Sequence, residues 1–230
     1  MPRIALVTGG TGALGRAVVR HFIDAGHSVH VPWVAEREVG ELERYLGAAH
    51  SRITLHRCDV TSEPAVVELF GTLGGRVDIL ANIVGGFAMA PIEETDFAHW
   101  NRMFQLNATA TFLCTRAAVP GMKERSWGRI VNVASGPAVN HGAAKMSAYA
   151  ASKAAVLNFT ESLSKELVTA GITVNAIIPS VIDTPANRAG DPGADTSRWL
   201  KAEEIAQVVE FLCSDSAAIV NGSAVNLTRG

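Results

Sequence analysis

Residues 8–15 read Thr-Gly-Gly-Thr-Gly-Ala-Leu-Gly, and this stretch decides the fold of the chain. It follows a β-branched run at 4–8 and opens an amphipathic stretch at 12–25. Glycines in this position let the backbone turn sharply, and the free N–H groups of the following helix hold an anion. A tight strand-to-helix turn is the alternative. The context favours a dinucleotide phosphate site made by Gly9, Thr11, Gly12, Ala13, Leu14 and Gly15.

The rest of the chain repeats the order strand, then helix. This alternation predicts right-handed βαβ units and an α/β fold, a Rossmann-type doubly wound parallel sheet of about seven strands with helices on both faces. We find no linker or internal repeat, so residues 1–230 are predicted to form a single domain. The predicted strands are 4–8, 28–34, 53–58, 77–84, 129–135, 172–178 and 224–228, and the predicted helices are 12–25, 36–46, 63–73, 97–122, 147–169 and 202–213.

Charge and composition exclude several classes of function. A formal net charge of -2 gives no reason to expect nucleic acid or an anionic membrane as a partner. No apolar run approaches the roughly 20 residues that span a bilayer, and residues 1–8 lack the apolar core of a secretory signal. Cys58, Cys114 and Cys213 are scattered without metal-ligand spacing. We therefore expect a cytoplasmic protein with reduced thiols and no metal site.

The end of the second predicted strand bears on the choice of cofactor. In this fold an acidic side chain there accepts hydrogen bonds from the adenosine ribose, whereas an arginine receives a 2′-phosphate. Trp33 occupies the position itself. Arg37 or Arg16 could meet a phosphate and Glu36 could meet a diol, or these charges are simply solvated. The sequence favours NADP(H) over NAD(H), with Trp33 and Arg37 among the cofactor-binding residues.

Tyr149 and Lys153 begin a long amphipathic stretch and lie four residues apart, on one face of a helix. A cation beside a phenol lowers the pKa of the phenol, which makes Tyr149 a proton donor or acceptor near neutrality. A surface pair on a helix is the alternative. Ser135 ends a buried strand fourteen residues earlier, where its hydroxyl could bond a substrate carbonyl. The sequence therefore predicts a catalytic set of Ser135, Tyr149 and Lys153.

With these residues in place, the whole chain resembles the short-chain dehydrogenase/reductase family. Gly9, Gly12 and Gly15 are similar to its coenzyme loop, and Asn107 matches its active-site asparagine. The resemblance makes Asn107 the fourth catalytic residue, whose main chain helps to hold a proton-relay water. It also implies cofactor contacts, besides those of Tyr149 and Lys153, from Asp59, Val60, Asn82, Val84, Gly85, Pro179, Ile182 and Thr184.

The resemblance implies an NAD(P)-dependent oxidoreductase that interconverts a carbonyl and an alcohol by hydride transfer. Tyr149 would exchange the proton, Ser135 would orient the carbonyl, and Lys153 would hold the nicotinamide ribose. The partner would be a small-molecule substrate. Members of the family commonly pair through the helices predicted at 97–122 and 147–169, which implies a homotetramer or a homodimer. We expect the substrate side of the site to include Phe87, Met89 and His141.

Two alternatives to this function remain open. Residues 9–15 and 183–188 are similar to the quinonoid dihydropteridine reductases, which suggests a pterin substrate. Those enzymes lack the serine and asparagine of the catalytic set, and this chain has both. The other alternative is a catalytically idle dinucleotide-binding sensor or scaffold, because fold alone does not determine function.

Overall fold

Seven parallel strands form one sheet in the computed structural model, which describes residues 2–140 and 142–229. The strand order is β3-β2-β1-β4-β5-β6-β7, and every neighbouring pair is parallel. The predicted doubly wound fold is confirmed, and each strand end lies within two residues of its predicted position. The strands are β1 (Ile4–Thr8), β2 (Ser28–Trp33), β3 (Ile53–Arg57), β4 (Ile79–Asn82), β5 (Gly128–Val133), β6 (Ile172–Pro179) and β7 (Ala224–Leu227).

Helices cover both faces of the sheet and divide the apolar core in two. One half packs beneath α1, α2 and α9, and the other beneath α3 and α5. Ala5 and Val7 face the first half while Leu6 faces the second, because successive side chains of a strand alternate. The helices are α1 (Ala13–Asp24), α2 (Glu36–Leu46), α3 (Glu63–Thr72), α4 (Phe97–Phe104), α5 (Ala110–Glu124), α6 (Gly136–Val139), α7 (Ser147–Leu167), α8 (Pro185–Gly190) and α9 (Ala202–Cys213).

The helix predicted at 97–122 is not a regular α-helix along its whole length. Between α4 and α5 the chain forms a π-helical segment, Gln105–Thr109. Such a segment accommodates one extra residue in a turn and often occurs at functional sites. Here it contains Asn107, whose side chain is fully buried and bonds to the backbone of Gly86. The apolar pattern predicted the helix but carried no signal of this irregular turn.

A buried polar network fixes helix α7 against the sheet. The side-chain amide of Asn82 on β4 donates to Asn132 Oδ1 on β5 at 2.9 Å and to Thr115 Oγ1 at 3.1 Å. The amide of Asn132 donates in turn to Thr160 Oγ1 of α7 at 2.9 Å. Buried polar groups cost little free energy only when they are paired in this way. The network therefore sets the position of α7, and with it the positions of Tyr149 and Lys153.

The glycine loop between β1 and α1 is packed backbone against backbone. Gly9 has φ +66°, in the left-handed region that favours glycine, and its carbonyl accepts a hydrogen bond from Gly12 N at 3.0 Å. A Cβ added to Gly15 would lie 2.0 Å from Gly9 O, and one added to Gly9 would lie 2.8 Å from Val84 N. The loop therefore has no room for side chains at these two positions.

We expect Gly15→Ala to lower the free energy of unfolding by about 3 kcal/mol, because the new methyl group displaces the loop backbone. Gly40→Ala is the matched control. Gly40 lies within α2, and a Cβ there would meet nothing within 4 Å. This second variant should gain about 1 kcal/mol from helix propensity. Chemical denaturation of both variants measures the difference, and equal stabilities would contradict the packing described for the loop.

Candidate active site

A cleft of about 360 Å³ lies at the carboxyl ends of the strands, beside the glycine loop. Ligands bind at this edge in doubly wound sheets, near the point where the strand order reverses. In this sheet the reversal lies between β1 and β4. The predicted cofactor residues that line the cleft are Gly9, Thr11, Gly12, Ala13, Leu14, Gly15, Trp33, Asp59, Val60, Val84 and Gly85.

Other predicted cofactor residues do not line this cleft. The Asn82 side chain belongs to the buried network between β4, β5 and α7. Pro179 ends β6, and Ile182 and Thr184 follow it at the same edge of the sheet. The Thr184 hydroxyl caps α8 by accepting a hydrogen bond from Asn187 N at 3.1 Å. The cofactor contacts of these three residues stay predictions.

The two arginines that suggested NADP(H) do not line the cleft. Arg37 is exposed and is not among the residues that line the cleft. Arg16 forms an ion pair with Glu41, at 3.2 Å between Nη2 and Oε2, and its Nε donates to Gly12 O at 3.4 Å. The structure therefore gives no support to the preference for NADP(H) that the sequence suggested.

Sequence reasoning missed several residues of the cleft, and the charged one among them is Glu38. It lies in the first turn of α2, lines the cleft, and accepts a hydrogen bond from Thr11 Oγ1 at 2.7 Å. The available signal was helical phase, since Glu38 precedes the buried Leu42 by four residues and therefore shares its inward face.

The predicted catalytic residues meet beside the cleft. Ser135 follows β5 at its carboxyl end, and its hydroxyl is buried without a hydrogen-bond partner among the described residues. Lys153 is buried on α7, and its ammonium donates to Val133 O at 2.8 Å. A Cβ added to Gly85 would come within 3.1 Å of Lys153 Nζ. Gly85 therefore lies between the cleft and the Lys153 ammonium, with no side chain of its own to separate them.

Asn107 joins the loop after β4 to helix α7 through its side chain. Its amide oxygen accepts from Gly86 N at 2.9 Å, and its amide nitrogen donates to Gly86 O at 3.1 Å and to Ser152 Oγ at 2.9 Å. Ser152 Oγ donates in turn to Tyr149 O at 2.8 Å. The resemblance assigned a role to the main chain of Asn107, and the structure adds a side chain that holds Gly86 and Tyr149 in place.

The pKa values of Tyr149 and Lys153 are both controlled by burial. Burial raises the pKa of Tyr149, and the nearby Ser135 hydroxyl opposes this by favouring the phenolate. Ser135 Oγ has no hydrogen-bond partner among the described residues, which leaves it free for a ligand. Burial also lowers the pKa of Lys153 to about 8. The pKa of Tyr149 is therefore raised, not lowered as the sequence suggested, because burial outweighs the stabilisation of the phenolate, and the residue is a neutral phenol at pH 7.

The predicted substrate residues lie to one side of Tyr149. The Phe87 ring stands edge-on to the Tyr149 ring, with 5.0 Å between centroids, and remains 58% exposed. Met89 follows in the same segment and is also exposed. His141 lies outside the described residues. Phe87 therefore forms an apolar wall beside the phenol, open to an incoming molecule.

The three cysteines are buried free thiols. Burial raises the pKa of Cys58 to about 11 and that of Cys114 to about 12, so that both remain protonated and unreactive at neutral pH. Within residues 2–140 and 142–229, no three His, Cys, Asp or Glu side chains are grouped to hold a metal ion. No helix in that part of the chain is long and apolar enough to cross a membrane.

Comparison with known proteins relates this geometry to one family. Residues 3–194 match the family described as short chain dehydrogenase. The chain is 33% identical to an acetoacetyl-CoA reductase of Shinella zoogloeoides, over 100% of this chain and 98% of the relative. It is 30% identical to the 3-oxoacyl-[acyl-carrier-protein] reductase FabG of Vibrio harveyi, over 99% and 96% of the two chains.

Two solved structures have the same fold along nearly the whole chain. An NAD+-bound xylitol dehydrogenase superimposes with a TM-score of 0.89 and 26% identity, covering 99% of this chain and 98% of the other. A short chain dehydrogenase from Bacillus anthracis gives a TM-score of 0.87 and 27% identity, covering 98% and 94%.

The buried Lys153 should make stability depend on pH in a defined direction. Between pH 8 and 10.5 the unfolded chain keeps a proton that the folded chain has released, so the free energy of unfolding rises with pH. We expect wild type to gain about 2 kcal/mol between pH 8 and pH 10 relative to Lys153→Met. Denaturant titrations at each pH measure this gain.

Lys165→Met is the control for this measurement, because Lys165 is exposed on the same helix. It should retain the pH profile of wild type. Parallel profiles for wild type and Lys153→Met would contradict the burial of an ionisable ammonium at position 153.

Proposed function

This chain belongs to the short-chain dehydrogenase family, and on that premise we propose that Tyr149 is the catalytic acid and base of its reaction. The chain is an NAD(P)-dependent oxidoreductase that interconverts a carbonyl and an alcohol. The observation that carries the proposal is the buried Ser135 hydroxyl, which has no partner among the described residues and lies beside Tyr149. Buried polar atoms are normally paired, so a free one at this edge of the sheet fits a ligand atom.

The residues of the cleft fit a dinucleotide. The glycine loop presents backbone N–H groups at the start of α1, where Gly12 is the N-cap and has no side chain to cover them. Asp59 and Val60 close the cleft beyond β3, and Gly85 lies between it and Lys153. When bound, the nicotinamide cofactor supplies or accepts the hydride, and the protein contributes position and electrostatics.

In reduction, Tyr149 donates its phenolic proton to the carbonyl oxygen of the substrate. Its raised pKa keeps that proton on the phenol at neutral pH, which is the form that reduction requires. Ser135 donates its free hydroxyl hydrogen to the same oxygen and so polarises the carbonyl. In oxidation the direction is reversed, and Tyr149 accepts the proton of the alcohol.

Lys153 and Asn107 support this proton transfer from the side of the cleft. Lys153 carries its charge below about pH 8, where it stabilises any negative charge that develops on the phenol oxygen. Its position behind Gly85, which lines the cleft, suits a contact with the nicotinamide ribose. Asn107 holds Gly86 and, through Ser152, the Tyr149 backbone in fixed positions. Its place in a π-helical turn suits the proton relay that the sequence suggested.

The substrate is a small carbonyl or alcohol whose apolar part packs against Phe87 and Met89. Both side chains are more than half exposed, so they form one wall of an open site. The relatives carry the names of reductases and dehydrogenases, which favours this function over a pterin reductase or an idle sensor. Three free, buried cysteines fit the reducing conditions of the cytoplasm, where we propose that the chain resides.

We expect Tyr149→Phe to lower kcat by at least about a thousandfold, because the proton donor is lost. NAD(P)H affinity should change less than threefold, since the ring and its contact with Phe87 remain. The chain has one other tyrosine, Tyr45, whose hydroxyl donates to Glu203 away from Ser135. Tyr45→Phe is the matched control and should keep full turnover. Measured turnover with a panel of carbonyl compounds decides the matter, and activity retained by Tyr149→Phe would refute the assigned role.

The chain is also proposed to assemble as a homotetramer or homodimer through α5 and α7. Phe112 of α5 is 42% exposed, and its ring lies edge-on to that of Phe159 of α7, with centroids 6.2 Å apart. An exposed aromatic pair across two long helices suits a self-complementary interface. We expect light scattering to report a dimer or tetramer for wild type and a smaller species for Phe112→Glu. A monomeric wild type would contradict the assembly.

A further inference from the structure

We infer that Glu38 makes this enzyme select NAD(H) over NADP(H), an inference that rests on the proposed dinucleotide site. The two cofactors differ only at the 2′ position of the adenosine ribose, which carries a hydroxyl in one and a phosphate in the other. That ribose lies at the carboxyl end of β2 in doubly wound sheets. The position that usually decides the choice holds Trp33, which carries no charge.

Glu38 brings a carboxylate to the same place from the next helix. It lines the cleft together with Trp33, and the buried Thr11 hydroxyl donates to its Oε2 at 2.7 Å. This hydrogen bond fixes the carboxylate between the glycine loop and the end of β2. Within the described part of the chain, Oε1 accepts no hydrogen bond from protein and so remains free for a ribose hydroxyl.

The charges around the cleft point in the same direction. Among its lining residues the ionisable carboxyl groups are Glu38 and Asp59, and neither lysine nor arginine contributes. Arg16 is engaged by Glu41, and Arg37 is exposed outside the lining. A 2′-phosphate would therefore meet a carboxylate without a cation to offset it.

The physical consequence is opposite for the two cofactors. An ionised carboxylate accepts strong hydrogen bonds from a vicinal diol. The same carboxylate repels a phosphate that carries about -1.5 to -2 charges at neutral pH. We expect wild type to bind NADH at least tenfold more tightly than NADPH.

The test is to titrate wild type, Glu38→Gln and Glu36→Gln with NADH and with NADPH. Energy transfer from tryptophan to the nicotinamide reports binding. Trp33 lies in the cleft and gives a direct signal. Glu38→Gln keeps an oxygen for the Thr11 hydroxyl while removing the charge. It should lower the NADPH-to-NADH ratio of dissociation constants at least fivefold, mainly because the variant binds NADPH more tightly. Glu36→Gln alters an exposed carboxylate outside the lining in the same helical turn and should leave the ratio unchanged.

The salt dependence of binding distinguishes charge repulsion between Glu38 and the 2′-phosphate from a purely structural role of Glu38. Raising the ionic strength screens charges, so the NADPH-to-NADH ratio of dissociation constants should fall in wild type between about 0.05 M and 0.5 M salt. The fall should be smaller in Glu38→Gln. A variant that had only lost loop structure would weaken both cofactors together.

The inference is overturned if wild type binds NADPH as tightly as NADH or more tightly. It is also overturned if Glu38→Gln retains the wild-type ratio of dissociation constants. Neither result would affect the proposed function, because both require that a dinucleotide binds. Failure of wild type to bind either cofactor would instead refute the proposed function itself.

Discussion

The active site depends on the contact between the ends of β1 and β4. The Thr8 hydroxyl accepts hydrogen bonds from Ile83 N at 3.1 Å and from Val84 N at 3.2 Å, while Gly9 turns against Val84 without room for a Cβ. This contact lies where the strand order reverses, so it joins the two halves of the cleft. The glycine loop and Trp33 stand on one side of it. Gly85, which lies between the cleft and Lys153, stands on the other.

Burial gives the catalytic side of the cleft its chemistry and also its energetic cost. Lys153 is enclosed with one carbonyl partner, which lowers its pKa to about 8 and makes its charge expensive to keep. The same enclosure raises the pKa of Tyr149, so the phenol retains its proton. The polar network from Asn82 through Asn132 to Thr160 holds α7 in this enclosed position. The buried polar network therefore determines how deeply Tyr149 and Lys153 are buried.

The sequence predicted the sheet because strands and helices leave local patterns, and the catalytic set, which stays a prediction, rests on local patterns too. Alternating apolar runs located every strand, and Tyr149 and Lys153 share a helical face by their spacing alone. The direction of the pKa shift of Tyr149 was not predictable, since it depends on enclosure by residues distant in sequence. Glu38 was missed because its contact with Thr11 depends on how α2 docks. The cofactor contact of Asn82 stays a prediction, since its amide nitrogen bonds to Asn132 and Thr115 while its buried Oδ1 has no partner among the described residues.

The π-helical turn at Gln105–Thr109 determines how the residues before and after it are rotated relative to one another. A π segment arises in an α-helix when one residue is inserted without breaking the flanking hydrogen bonds. Removing a single codon here would restore a regular helix and rotate all residues on one side of the deletion by about 100°. Asn107 would then leave Gly86 and Ser152, and the buried residues of α5 would turn out of register with those of α4. The single extra residue of this turn thus sets two things at once, the register of the buried faces of α4 and α5 and the position of the Asn107 amide.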